Sequence, residues 1–143
     1  MVRSCHTLGV EYRARVILYA TRRPEPSDMA FTELELARHK RDLEAFMKRR
    51  RPPVHVRDRL DHGYRFVGQG VELFEIRPDF RDPGVKRETP FAKATYVRAK
   101  DHWRVFWMMS DLKWHGYEPN KEVNSLSRFL EVVNKDEHCC FFG

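Results

Sequence analysis

The alternation of apolar and polar positions is clearest between residues 91 and 118, a stretch that holds all three tryptophans. Residues 91–98, 103–109 and 113–118 each predict a β-strand, and the short polar segments between them predict tight turns. Alternate side chains of a strand share a face, so the middle strand has one wholly apolar face, formed by Trp103, Val105, Trp107 and Met109. Such a strand lies inside a sheet, with its apolar face packed against another layer.

Helical patterns flank the strands on both sides. Thr32, followed three residues later by Glu35, predicts a capping box at the start of a helix. This helix is predicted to run to about Arg50, because prolines follow at positions 52 and 53. A second helix is predicted over residues 124–135, where apolar side chains recur at the spacing of one helix face, at Leu126, Phe129, Leu130 and Val133.

Two further strands are predicted between the first helix and the tryptophan-containing strands. Residues 64–67 and 71–77 carry the strand pattern, and Gly68 and Gly70 lie in the hairpin turn that joins them. Residues 78–90 contain three prolines and mixed charges, so they predict a loop.

The order of elements predicts the fold class. One helix, five strands and one helix indicate a single α+β domain over residues 29–143, in which a mostly antiparallel five-strand meander sheet packs its apolar face on both helices. Residues 1–28 include two prolines within three residues, which forbid a continuous helix there. This segment is predicted to be an irregular extension that contributes negligibly to stability.

Composition indicates a cytoplasmic protein. The net charge is +6 and the isoelectric point is about 9.4, a basic balance that favours anionic partners only weakly. The three cysteines form no framework of paired spacings, so reduced thiols are expected. The apolar run at residues 16–20 is too short for a signal peptide or a membrane helix. We therefore expect a cytoplasmic location and no membrane contact.

Several short motifs, taken in order, resemble a bacterial family of unknown function, domain family 3024. The resemblance covers roughly residues 30–143. It rests on RRRPP at 49–53, YRFVGQ at 64–69, VELFE at 71–75, RP at 77–78, PFAK at 90–93, WRVFWM at 103–108, WHGYEP at 114–119 and FFG at 141–143. The resemblance implies a small α+β domain of bacterial type and supplies no catalytic residues.

Nucleic acid is one partner class that the sequence suggests. Six basic residues lie at or shortly after the end of the first helix, and they are candidates for contacts with phosphates or other anions. They are Lys48, Arg49, Arg50, Arg51, Arg57 and Arg59. Basic residues also collect at helix ends to complement the helix dipole, which is the alternative explanation. The segment HGYRFV at 62–67 partly matches the aromatic strand of the RRM, but the predicted element order differs from that fold.

Acid–base chemistry of a metal-dependent nuclease is a third alternative. Glu75 and Arg77 share a strand face by their spacing, and Lys93 on a neighbouring strand could converge with them. Further carboxylates lie on or between the same strands, at Glu72, Asp79, Asp82 and Glu88. A cross-strand ion pair is the more common outcome of such a pattern. Glycine-rich motifs that cradle phosphates are absent from the sequence.

Neither a metal site nor a cofactor site is expected. The cluster His138, Cys139 and Cys140 is contiguous, and contiguous side chains point apart, so it could supply at most two of the ligands that zinc requires. The other histidines of the domain are scattered along the sequence and form no metal-binding motif.

These observations together favour a small binding or interaction module over an enzyme. A protein partner, docking on the second face or an edge of the sheet, is the preferred hypothesis. A nucleic-acid-associated protein with a basic patch is the second, and a small nuclease-like enzyme the third. A coherent basic surface with exposed aromatic rings would favour nucleic acid, whereas an apolar patch on a mixed-charge surface would favour a protein partner.

Overall fold

The computed structural model describes residues 31–142, and the extension predicted over residues 1–28 lies outside the described residues. Two helices and six strands form an α+β fold, which confirms the predicted class. Their bounds are α1 (Glu33–Arg50), β1 (Asp61–Val67), β2 (Gly70–Pro78), β3 (Lys86–Val97), β4 (His102–Met108), β5 (Trp114–Gly116), β6 (Glu122–Val123) and α2 (Leu126–Lys135). Neither described helix has the length and apolar composition to span a membrane.

Helix α1 begins at the predicted capping box. The Thr32 side chain accepts a hydrogen bond from the Glu35 backbone N–H at 3.2 Å, and the Glu35 carboxylate accepts one from the Thr32 N–H at 2.8 Å. These two bonds satisfy N–H groups that have no partner within the helix. The helix ends at Arg50, immediately before Arg51 and the two prolines, and it buries Leu43, Phe46 and Met47.

The sheet is a meander in which β1 to β5 are neighbours in chain order and every pair is antiparallel. A sixth strand adds to the predicted five. Because β5 pairs only with the second half of β4, the first half of that edge is free for β6, which places Val123 opposite Trp103. Strand β3 begins at Lys86, inside the predicted loop, because its first residues pair with the end of β2.

One face of the sheet packs against both helices and forms the core. Trp103 and Val105 of β4 are buried there together with five residues of α2, Leu126, Phe129, Leu130, Val132 and Val133. Trp107 shares this face but is only partly buried, since it lies where β4 meets the short β5. The predicted apolar face is therefore correct, with Trp103 at its centre and Trp107 at its margin.

The chain after α2 folds back onto this core. The Asp136 carboxylate accepts hydrogen bonds from the backbone N–H groups of Phe141 and Phe142, at 3.0 and 2.9 Å. Phe141 is buried against Tyr117, and the Phe142 ring packs on Phe91 with 5.0 Å between centroids. The two phenylalanines thus close the core beside the end of α1.

The opposite face of the sheet, here called the open face, has neither described helix packed on it. Strand register places its residues together: Arg65 of β1, Glu72 and Phe74 of β2, Lys93 of β3, Arg104, Phe106 and Met108 of β4, and Trp114 of β5. It carries both charge signs as well as aromatic rings.

Candidate nucleic-acid interface

Two basic segments that are distant in sequence meet at one end of the sheet, here called the basic end. The first, residues 48–60, contains six Lys or Arg and one Asp; the second, residues 77–87, contains four Lys or Arg and two Asp. The first leads directly into β1 and the second joins β2 to β3, and Asp61 of β1 lies opposite Ile76 near the end of β2. The Lys86 ammonium joins the segments directly by donating to the Asp58 carbonyl at 2.7 Å.

Two of the predicted basic residues stabilise the turn from α1 to β1. Arg51 donates two hydrogen bonds to the Asp61 carboxylate, at 2.7 and 2.6 Å, and these bonds lower the pKa of Asp61. Arg57 donates to the Pro52 carbonyl at 2.9 Å. A bidentate arginine–carboxylate pair fixes orientation as well as position. Arg51 and Arg57 therefore have an evident structural role, through two nitrogens of Arg51 and the Nε atom of Arg57.

The other four predicted residues divide by exposure. Arg50 is half-buried and its guanidinium lies over the Phe142 ring, 4.0 Å from the centroid. Lys48, Arg49 and Arg59 are exposed and have no carboxylate partner among the described residues. Of the six candidates, these three are the cations that an external anion can reach without breaking a described contact.

The second segment presents an exposed ring from a well-ordered loop. The Asp79 side chain is 1% exposed, and its carboxylate accepts hydrogen bonds from the backbone N–H groups of Arg81 and Asp82, at 2.8 and 3.3 Å. The Asp79 N–H in turn donates to the Val85 carbonyl at 2.8 Å. Phe80, next to Asp79 in this connection, is 94% exposed.

The loop cations and Phe80 are the part of the basic end that sequence reasoning missed. Arg81, Lys86 and Arg87 are exposed, and the Arg87 Nε atom lies 3.8 Å from the Asp79 carboxylate, beyond hydrogen-bonding distance. The mixed charges of residues 78–90 suggested only a solvated loop. The available signal was an aromatic residue flanked by Asp and Arg, followed by Asp-Pro-Gly, because that composition is typical of a tight turn that cannot bury its ring.

Comparison with known proteins assigns the family. The family model described as a domain of unknown function, DUF3024, matches residues 31–143. The chain belongs to this family. No curated protein and no solved structure matches the chain. The predicted resemblance is thus confirmed, and the match covers all of the described residues.

The open face of this DUF3024 domain has a sealed half and an aromatic half. In the sealed half, Arg65 lies over the Phe74 ring at 4.8 Å and bonds Glu72 at 3.0 Å and Glu88 at 2.9 Å. The Phe74 ring lies so close to Gly63 that a Cβ atom there would be 2.7 Å from it. Phe74 and Glu72 are consequently buried although no described helix covers them.

The aromatic half of the open face is more accessible. Phe106, Met108 and Trp114 are half-buried, and the Lys93 ammonium lies 5.8 Å from the Phe106 ring and 5.5 Å from the Trp114 ring. Arg104 adds a second cation, 5.4 Å from the Phe106 ring. Since Glu72 and Glu122 lie in register with Lys93 and Arg104, this half is an apolar patch on a mixed-charge surface.

The nuclease-like convergence proposed from sequence is wrong in this DUF3024 domain. Glu75 and Arg77 do pair, at 3.1 Å, but Lys93 lies opposite Glu72 on the other face of the sheet. The RRM-like aromatics also face away from solvent, because Tyr64 and Phe66 pack against the core. Strand register, which separates these side chains, follows from long-range pairing that a local motif does not encode.

A cleft of about 190 Å³ lies between α1, the β3–β4 hairpin and the start of α2. Its polar groups are paired only in part. Tyr96 donates to Asp101 at 2.7 Å, whereas the buried Nδ1 atom of His39 has no hydrogen-bond partner among the described residues. Arg98, outside the lining, forms two hydrogen bonds with Glu35, both 3.0 Å long. These bonds lower the pKa of Glu35 to about 2. Among residues 31–142, no group of three or more His, Cys, Asp or Glu side chains is arranged to hold a metal ion.

Proposed function

We propose that this DUF3024 domain is a nucleic-acid-binding module that contacts phosphates through its basic end. The observation that carries the proposal is the meeting of two basic segments there, with Lys48, Arg49 and Arg59 on one and Arg81 and Lys86 on the other. Cations clustered on one surface release counterions from a phosphate backbone, which supplies most of non-specific affinity. From sequence alone a protein partner is the preferred hypothesis. We propose nucleic acid first because the basic end brings together cations that are distant in sequence.

The cellular setting is part of the same proposal. We infer a bacterial cytoplasmic protein, because the family resemblance is to bacterial domains and because Cys139 and Cys140 are both free thiols. A cytoplasmic binding module of this charge meets nucleic acids at high concentration.

Fluorescence anisotropy with a labelled 20-nucleotide single strand and the corresponding duplex tests the proposal. We expect log K to fall linearly with log salt concentration, with each phosphate contact adding about 0.9 to the slope for duplex and about 0.7 for single strands. The double variant Lys48→Ala/Arg49→Ala should flatten the slope by about 1.8 for the duplex and about 1.4 for the single strand. Absence of salt-dependent binding by the wild-type protein would overturn the proposal.

The matched control removes two charges far from the basic end. Lys40 is exposed midway along α1, and Lys100 is exposed in the β3–β4 turn at the opposite end of the sheet. The variant Lys40→Ala/Lys100→Ala lowers the net charge by the same amount and should keep the wild-type salt slope. Equal losses in the two double variants would mean that only total charge matters, which contradicts a localised site.

Protein binding at the open face is the second candidate function. The half-buried Phe106, Met108 and Trp114 form an apolar patch, and cations alternate with carboxylates around it. A surface that carries both charge signs is compatible with pairing of like faces about a two-fold axis, so a second copy of the chain is the first partner to test. Sedimentation velocity should then detect a dimer that Trp114→Glu dissociates; a wild-type monomer at 100 µM, roughly the weak limit for a specific dimer, excludes this partner.

A further inference from the structure

We propose that Phe80 stacks on a nucleobase and thereby makes the basic end selective for single strands over duplexes. The proposal rests on the function proposed above and names its ligand more narrowly. Base faces are hidden within a duplex and accessible in a single strand, where stacking on aromatic side chains is the common mode of recognition. The apolar ring of Phe80 lies in solvent at this position.

Buried polar contacts hold the turn that carries Phe80. Asp79, directly before it, is buried and bound to two backbone N–H groups of the turn. The turn is closed further by the Val85 N–H, which donates to the Asp82 carbonyl at 2.9 Å. Because these hydrogen bonds hold the backbone of the turn, little backbone order has to be gained when the ring binds a ligand.

The segment that carries the ring also carries cations, and it is bound to the first basic segment. Arg81 follows it directly, and Lys86 is anchored to Asp58, which itself lies between Arg57 and Arg59. A single strand that stacks one base on Phe80 can therefore place its neighbouring phosphates near basic residues of both segments. Alternation of an aromatic platform with phosphate-binding cations is the arrangement that single-strand-binding proteins use.

A lipid surface is the competing ligand for an exposed phenylalanine among cations, and the structure favours it less. Stable attachment to a membrane interface requires a continuous apolar face or several anchors. The other large apolar side chains that are strongly exposed among residues 31–142 lie on separate elements: Leu34 on α1, Val54 after the helix and Leu112 between β4 and β5. Of these, only Val54 belongs to the basic end, and one ring with one valine supplies less apolar surface than stable membrane attachment needs. A single ring is enough to stack on one base.

The test compares Phe80→Ala and Phe80→Trp with the wild-type protein, using oligo-dT and oligo-U of 20 nucleotides, a 20-base-pair duplex and anionic phosphatidylserine vesicles. We expect Phe80→Ala to weaken single-strand binding by roughly 5- to 150-fold, the range for loss of one stacked base, and to change duplex binding less than about twofold. Phe80→Trp should retain the single-strand affinity. Its added tryptophan fluorescence should be quenched by oligo-dT and not by the duplex.

Each alternative outcome is decisive. If Phe80→Ala leaves single-strand affinity unchanged while wild-type binding is salt-dependent, the stacking proposal is overturned and the proposed function stands. Parallel losses for single strands and duplex would also overturn it, as would loss of vesicle binding alone. If the wild-type protein binds no nucleic acid, the proposed function itself fails. Equal affinity for oligo-dT and oligo-U indicates that the 2′-hydroxyl is not read, which agrees with stacking.

Discussion

The guanidinium of Arg50 lies 4.0 Å from the centre of the Phe142 ring, so the last residue of α1 is bound to the chain that closes the core. The same ring contacts His62 of β1, with 5.7 Å between centroids. Arg50 therefore connects a helix, a strand and the folded-back segment after α2. In the neighbouring position, Arg49 is exposed and makes no described ion pair. Adjacent basic residues of one run thus have different roles.

This difference predicts unequal effects on stability. Arg50→Ala should lower the free energy of unfolding by about 1 kcal/mol, since it removes a cation–π contact in a partly desolvated site. Arg49→Ala should change it by less than about 0.5 kcal/mol, as is usual for exposed positions. Urea denaturation of both variants measures the two values under identical conditions. Equal effects would indicate that the run acts through the helix dipole alone.

Two glycines of the sheet offer a second matched pair. Gly63→Ala would place a Cβ atom 2.7 Å from the Phe74 ring, which is itself confined beneath Arg65. The ring must move, and we expect a loss of roughly 1–3 kcal/mol. Gly116→Ala meets no heavy atom within 4 Å and should leave stability within about 0.5 kcal/mol of wild type. Thermal unfolding followed by circular dichroism distinguishes the two; a harmless Gly63→Ala would refute the packing described for Phe74.

Trp103 and Trp107, which share the core-facing side of β4, should differ in how much they stabilise the fold. Trp103 is 3% exposed, and Trp103→Ala should cost about 3–5 kcal/mol, the range for emptying a buried aromatic site. Trp107 is only partly buried, so Trp107→Ala should cost roughly half as much. Guanidinium denaturation monitored by far-ultraviolet circular dichroism gives both values. A larger effect at Trp107 would place the centre of the core on the β5 side of the sheet.

Stability should fall between pH 7 and pH 5 because two half-buried histidines have lowered pKa values. Burial lowers the pKa of His39 and of His62 below the ordinary value of 6.5, with nearby carboxylates offsetting part of the effect. The Nδ1 atoms of both rings are buried with no hydrogen-bond partner among the described residues. The unfolded chain therefore takes up protons at a higher pH than the folded protein, and acid favours unfolding from about pH 6.5 downward until the folded pKa is reached.

Glu35 and Asp61 affect stability in a lower pH range than the two histidines do. The decline between pH 7 and pH 5 can therefore be assigned to the histidines. The lowered pKa values of Glu35 and Asp61 stabilise the fold above their unfolded values of 4.5 and 3.8, and that stability is lost only as the pH falls below them. The urea concentration at the midpoint of unfolding should decline from pH 7 through pH 6 to pH 5 for the wild-type protein. For the double variant His39→Gln/His62→Gln the decline should be much smaller. His55→Gln, at an exposed position, should decline as wild type does.

Most of the regular elements could be predicted because their signals are local. The capping box of Thr32 and Glu35 fixes the start of α1, and the apolar stripe of α2 requires no knowledge of its neighbours. Strand β6 escaped prediction because two residues carry no periodicity and form a strand only where β5 leaves the edge of β4 free. The early start of β3 at Lys86 likewise depends on pairing with β2.

The candidate site was predicted only in part, for a related reason. The run from Lys48 to Arg51 is visible as composition, but the division between bound and exposed cations depends on Asp61 and Phe142, which lie elsewhere in the sequence. The second half of the basic end joins through Lys86 and Asp58, which are 28 positions apart. Long-range contacts of this kind are set by strand register and have no signature in a short window.

The fold-back at Asp136 has a practical consequence for any labelled form of the protein. Because Phe142 is held against Arg50, a polyhistidine tag or fluorophore joined to the chain shortly after it would lie close to the basic end. Cationic or aromatic groups placed there would contribute their own affinity for polyanions to the measured binding. Immobilisation through that terminus would also bring the chip surface against Arg49 and its neighbours, so a probe in the β3–β4 turn at the far end of the sheet is the neutral choice.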